Sequence, residues 1–390
     1  MSLITEAIDR AGQIQARLLS HQPDIIRDWS LRFALPERAG LLSGPRGVGK
    51  TTWMLSQVEA NHLLYFSADN PVLSTIPLYD LVEGIFMRGY EGVLIDEVHY
   101  ATGWARHLKA AYDSFPKHRI IASDSSTVVL RKEMADLSRR FPVHTMPMLS
   151  FREFMMLKLK RDIPRIDPFQ PAIGEVRKLV RESNVLRFFR DYLNGGFRPF
   201  FLEEQDLYQE KVMNTIAKTM ESDIPFLVPQ ITENHLRLMH SVVGYLAVST
   251  VPTLQVNSLC REWGLGKEKL YQLLAAMERA HIVRIIRKRN DTKINSVGAK
   301  LLLHEPSVYG FYGRNEGTQR EAFTVAALAD AGCRVYAASR ETECDFIVDG
   351  MRIEVGGQNK KRKDADLVIR DNTDLPSGNI RPLWLLGLAY

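Results

Sequence analysis

The chain has 390 residues, 45% hydrophobic and 25% charged, which is too long for one small core and suits a globular protein of two or three domains. No run of about 18 apolar residues occurs, which argues against a membrane helix, and a formal charge of +5 permits a nucleic-acid partner without requiring one. Cys260, Cys333 and Cys344 are odd in number and lack metal-ligand spacing, so a reducing cytoplasm is expected.

In chain order, residues 1–19 scatter acids among apolar positions and read as an amphipathic helix, not an export signal. A short apolar run then leads into Gly44-Pro45-Arg46-Gly47-Val48-Gly49-Lys50-Thr51, with Thr52 and a helical pattern over 49–60 behind it. This is the G-x-x-x-x-G-K-[ST] spacing of a phosphate-binding loop. Glycines let main-chain N–H groups curl around phosphate oxygens with no Cβ in the way. Lys50 is placed to reach the β- and γ-phosphates of ATP, and the Thr51 hydroxyl to bind Mg²⁺. The following helix points its positive end at the phosphates.

Strands are expected over 63–69, 92–98, 118–124 and 140–146, with helices over 78–89, 104–115 and 126–139 between them. This alternation predicts an α/β fold with a parallel sheet covered on both faces. The second strand of that series ends in Asp96-Glu97. Open α/β sheets bind ligands beyond the carboxyl ends of their strands, so these acids and the loop at 44–51 should face one crevice. Asp96 is expected to hold Mg²⁺ and Glu97 to polarise the attacking water. The polar exit of the next strand, 123–126, lies where a side chain can test the γ-phosphate. Arg139 and Arg140 follow a helix; they complement its C-terminus or neutralise charge on a neighbouring subunit's nucleotide.

Residues 151–225 carry helix-period apolar positions among many charges and read as a helical lid and connection. Over 226–295 come helices at 235–248, 256–265 and 267–280 and a strand at 281–289, the order of a winged helix. Lys267 and Lys269 open the third helix, and Arg284, Arg287, Lys288, Arg289, Lys293 and Lys300 form a basic cluster broken by Asp291. Such a cluster can pair with DNA phosphates, although winged helices also bind proteins.

These residues resemble the bacterial and archaeal AAA+ ATPases whose P-loop domain precedes a C-terminal domain of unknown function. The resemblance is carried by GPRGVGKTT, LYFSADN, LIDEVHY with Trp104, ADLSRR and LSFREF, and further on by DYLNGGFRPFFLE, GTQREAF, DFIVDGMRIEVGGQNK and PLWLLGLAY. It implies an AAA+ core over 1–150, a lid, a winged helix, and a PD-(D/E)xK nuclease-like domain over 296–390. By the same resemblance Ser125 stands at a sensor serine, Arg140 in preference to Arg139 at the trans arginine, and Arg198 at a cis phosphate sensor. Relatives tend to carry glycine where Asp124 stands, and an extra acid there would repel the γ-phosphate unless it points away.

In the C-terminal quarter, a helix at 317–332 and strands at 334–339, 344–350 and 351–357 are expected. Asp345 and Glu354 fill the acidic places of the nuclease pattern, but Gly356 stands at its lysine place and Gln358 at the next candidate. Lys360 or Lys361 would have to reach back, and Lys360-Lys361-Arg362-Lys363 would suit a DNA backbone. A domain that binds without cutting is therefore expected. The leading expectation is an oligomeric ATPase, free of the membrane, that binds ATP and Mg²⁺ and engages DNA. The alternatives are a nucleotide-driven switch recruiting proteins, and a metal-dependent nuclease with a relocated lysine.

Overall fold

The computed structural model describes residues 3–125, 137–227, 232–249, 260–261, 264, 266–289, 299–312, 315–340, 343–357 and 365–390. The expected helix over 126–139 lies outside them but for its last three residues, as does most of that over 256–265. Asp291, Lys293, Gln358, Lys360, Lys361, Arg362 and Lys363 lie outside them too. The chain divides into two compact units, Met1–Pro147 and Met148–Tyr390.

The first unit is built on a sheet of β1 (Ala39–Ser43), β2 (Leu63–Ser67), β3 (Gly92–Asp96), β4 (Arg119–Asp124) and β5 (Val143–Thr145). Their order is β2-β3-β4-β1-β5 and every pairing is parallel. Strands β1 and β3 are buried along their whole length, which is why they read as continuous apolar runs and not as alternation. The flanking helices are α1 (Leu3–Leu19), α2 (Asp28–Arg32), α3 (Lys50–Ser56), α4 (Val58–Asn61), α5 (Leu78–Met87) and α6 (Trp104–Ser114). The buried Ala7, Ile8 and Ala11 of α1 pack it onto β2 and α5. A Cβ at Gly84 of α5 would lie 2.6 Å from Ile4 Cγ2, so a larger residue there would have to push that side chain aside.

Two expectations are trimmed. The single helix over 49–60 is divided at Gln57, whose N–H turns back to Met54 O in a tighter bond. The strand over 140–146 shrinks to β5, because the Arg140 and Phe141 N–H groups both bond Leu137 O and Pro142 offers no donor.

The second unit opens with α7 (Phe151–Leu159), followed by α8 (Ile173–Glu182), α9 (Val185–Gly195), α10 (Tyr208–Lys218), α11 (Glu233–Val248) and α12 (Lys267–Arg279). An antiparallel pair, β6 (Val283–Ile286) with β7 (Lys300–Leu303), leads to α13 (Val308–Tyr312) and α14 (Glu316–Asp330). A second sheet then lays out β8 (Val335–Ala337), β9 (Phe346–Val348), β10 (Met351–Gly356), β11 (Leu367–Arg370) and β12 (Ile380–Pro382) in sequence. Its first three strands are antiparallel neighbours and its last three parallel ones.

The core of this unit crosses the expected boundaries at 225 and 295. Phe189 and Tyr192 meet Phe323 of α14 edge to face, and Phe151 packs on both of them. The buried turn Leu383–Leu388 lies against α7 and α14. A Cβ on Gly387 would come within 2.5 Å of Phe151 Cβ. Ser150 Oγ and Arg152 Nε both donate to Tyr390 O at 3.0 Å.

Candidate active site

The glycine-rich loop at 44–49 leaves β1 and enters α3. Gly47 and Gly49 hold φ of 74° and 103°, left-handed values that glycine adopts without penalty. A Cβ on Gly44 would lie 2.3 Å from Met146 O, so only glycine lets the loop pass β5. Arg27, which sequence reasoning missed, braces the loop from below: its Nη1 donates to Val48 O at 2.9 Å and to Pro147 O at 2.8 Å. The Lys50 ammonium folds onto Gly44 O at 2.7 Å and Pro45 O at 3.1 Å. Burial pulls its pKa down, and Glu97, Asp96 and Asp124 oppose that.

Parallel pairing of β3 with β4, and of β4 with β1, brings the acids to this loop. Thr51 Oγ1 donates to Asp96 Oδ2 at 2.6 Å, and Tyr65 OH donates to the same oxygen at 3.0 Å. Ser123 Oγ and the Glu97 N–H serve the other oxygen. Asp96 is thus fixed from four sides, two of them by Tyr65 and Ser123, neither of which was expected to hold this acid. Tyr65 is held neutral, its pKa raised by burial and then by Asp96. Glu97 adopts φ 48°, ψ 48°, a left-handed conformation costing a non-glycine residue about 1 kcal/mol. Its carboxylate lies 3.3 Å from Arg46 Nη1 and accepts from Ser125 Oγ at 3.2 Å. Burial raises the Glu97 pKa against the pull of Lys50 and Arg46. Asp124 faces His99, whose Nδ1 is 3.2 Å away.

Lys50, Thr51, Asp96, Glu97, Ser125 and the loop Gly44, Pro45, Arg46, Gly47, Val48, Gly49 are therefore brought together, with Thr52 on α3 behind them. This donor set fits a magnesium-bound triphosphate: a hard hydroxyl and a carboxylate oxygen lie adjacent, and an ammonium hydrogen-bonds the carbonyls of a side-chain-poor loop. Arg139 is exposed, whereas Arg140 is half-buried and grips Asp113 with Nε at 2.9 Å and Nη2 at 3.0 Å. Arg198 lies inside the second unit, its Nε 2.5 Å from Glu305 Oε2, with Tyr208 OH and Ser307 Oγ on the other oxygen.

The nuclease-like acids have a different neighbourhood. Asp345 precedes β9 and lies beside β10, which carries Glu354: the Asp345 N–H is on Ile353 O, and the Val355 N–H is on Asp345 Oδ2. The lysine beside them comes from β7: Lys300 Nζ is 2.6 Å from Glu321 Oε2 and 3.9 Å from Asp345 Oδ1. Among the described residues, the trio close enough to share one metal ion is Glu97, His99 and Asp124, not these acids. Of the basic cluster, Arg284 pairs with Asp330, Arg287 with Glu278 and Lys300 with Glu321, so three of its charges are spent inside the unit. Lys267 and Lys269 are exposed at the start of α12.

Residues 36–155 match the family model described as AAA domain. The parallel five-stranded sheet with its helices is that of an AAA+ α/β fold. An uncharacterized protein of Methanocaldococcus jannaschii is 30% identical over 271 residues, which cover 62% of this chain and 55% of that protein. The chain thus spans about half the length of that relative. A solved structure titled "Structural Basis for Katanin Self-Assembly" is 21% identical over 39% of this chain and 60% of that one, with a TM-score of 0.26, too low for the overlap to bear on the fold. No described helix is long and apolar enough to cross a membrane.

Proposed function

We propose that the chain hydrolyses ATP in the crevice at the carboxyl ends of β1, β3 and β4. The observation that carries this reading is the 2.6 Å contact between Thr51 and Asp96, with Glu97 next in sequence and Lys50 one residue before Thr51. Loop N–H groups from Arg46 to Gly49 cradle the phosphates, and Lys50 exchanges its loop carbonyls for phosphate oxygens. Thr51 and Asp96 would hold Mg²⁺, which when bound neutralises phosphate charge. Glu97 accepts the proton of the attacking water, and Ser125, already bonded to it, reports the γ-phosphate. An arginine of a neighbouring copy, Arg139 or Arg140, completes the site in an oligomer. Arg140 must first leave Asp113, while Arg139 already faces solvent.

Titration with a fluorescent ATP analogue and a phosphate-release assay test this. Lys50→Ala should abolish nucleotide binding. Glu97→Gln should keep binding and lose about a hundredfold or more in turnover. Unchanged turnover in Glu97→Gln rejects the assignment.

The second unit is proposed to engage the partner on which hydrolysis acts. Exposed Lys267 and Lys269 at the start of α12 support DNA. The internal pairing of Arg284, Arg287 and Lys300 supports the second reading, a nucleotide-driven switch that recruits a protein. DNA that accelerates hydrolysis, with a steep salt dependence, decides for the first; indifference to DNA at low salt decides for the second.

A further inference from the structure

We propose that His99 and Asp124 form a buried couple that positions the Glu97 carboxylate for hydrolysis, His99 acting on Glu97 and Asp124 acting through His99. This rests on Glu97 being the hydrolytic base.

The β3–β4 ladder ends at Ile95 beside Ala122, just before Asp96 and Glu97 on one strand exit and Ser123 and Asp124 on the other, and Ser123 Oγ bonds Asp96. Two carboxylates therefore emerge side by side from neighbouring parallel strands. Asp124 is 1% exposed, and a carboxylate that deep costs several kcal/mol unless a partner compensates it. The left-handed turn at Glu97 starts the short helical turn Val98–Tyr100, which swings His99 back between the two acids. One nitrogen, Nδ1, stands 3.2 Å from Asp124 Oδ2 and 3.6 Å from Glu97 Oε2. The ring thus lies between the two carboxylates, within ion-pair distance of each.

The ring cannot drift: it is 2% exposed and Tyr100 packs on it at 4.2 Å between centroids. Glu97 consequently faces Arg46 with one oxygen and accepts from Ser125 with the other, beside which His99 stands 3.6 Å away, near enough to attract it. The couple also accounts for an acid so near the γ-phosphate place, since Asp124 is directed at an imidazole.

The three side chains are also spaced as ligands of one transition-metal ion, because tetrahedral bonds of about 2.1 Å put neighbouring ligand atoms roughly 3.4 Å apart. Two cations speak against that occupant. Arg46 already contacts Glu97, and Lys50 lies close enough to feel Glu97 and Asp124, so a divalent ion would meet positive charge on arrival.

The test measures ATP affinity and steady-state turnover for His99→Ala, Asp124→Asn, the double variant, His99→Gln and Glu97→Gln. Displacing the carboxylate should cost about ten- to a hundredfold in kcat while nucleotide affinity stays within about threefold. Retained affinity shows that the site is folded. The double variant should be no slower than His99→Ala, since both changes cut one connection. His99→Gln, whose amide donates from a similar place, should recover part of the rate. Normal turnover in His99→Ala and Asp124→Asn beside a disabled Glu97→Gln overturns the couple while leaving the ATPase reading intact. A fully active Glu97→Gln removes the ATPase reading itself. Wild-type turnover that changes under a zinc-selective chelator at constant magnesium overturns the couple in favour of a metal site.

Discussion

Single residues in this protein show what burial does to charge. His304 lies at the end of β7, 7% exposed, and its pKa is driven well below 6.5 by burial, then by Arg284, His281 and Arg198. Below about pH 6.5 the unfolded chain takes up a proton at this ring that the folded chain refuses. Stability should therefore be full above that value and fall as pH drops through it, by up to about 1.4 kcal/mol per pH unit from this one group. Urea midpoints between pH 7.5 and 5.5 should shift less in His304→Gln than in the wild type; parallel shifts would dismiss the role. Lys50 and Glu97 follow the same physics to a different end. Their burial pulls both toward the neutral form, and each restrains the other's shift.

At the scale of elements, helix α7 depends on a reciprocal cap. Ser150 Oγ accepts the Glu153 N–H at 3.1 Å, and Glu153 Oε2 accepts the Ser150 N–H at 3.2 Å. Ser150 also donates to Tyr390 O. Ser150→Ala should cost about 1–2 kcal/mol in a denaturation midpoint, and Ser150→Asp should not restore it, because a buried carboxylate cannot donate to Tyr390 O. The box was legible in LSFREF, whose serine stands three residues before its glutamate. The bond to residue 390 was not, because no local pattern says which distant carbonyl will fill the space beside a cap. Strands β1 to β4 were visible as apolar runs closed by polar residues, while β5 was overread because Pro142 shortens its ladder.

For the molecule as a whole, the two units raise the question of how many copies work together. If Arg139 or Arg140 serves a neighbour's nucleotide, specific ATPase activity should climb with protein concentration through assembly. Replacing the operative arginine should lower turnover on the order of a thousandfold and leave ATP affinity near normal. Activity that stays flat across a dilution series covering assembly would rule out a site completed in trans. Arg139→Ala and Arg140→Ala separate the two candidates, since Arg140 alone gives up a bond to Asp113.

The sequence alone determined the loop at 44–51, the acids at 96 and 97 and the parallel α/β character of the first unit. Each is written in consecutive residues whose spacing already dictates geometry. Only tertiary structure decided who stands beside them. Tyr65 and Arg27 reach the site because of strand order and packing, whereas the strand exit at 123–126 was already expected there. Lys300 reaches Glu321 and Asp345 across separations of 21 and 45 positions. Contacts of that kind arise from how strands align when apolar faces are buried, and nothing in the local order of side chains encodes the pairing.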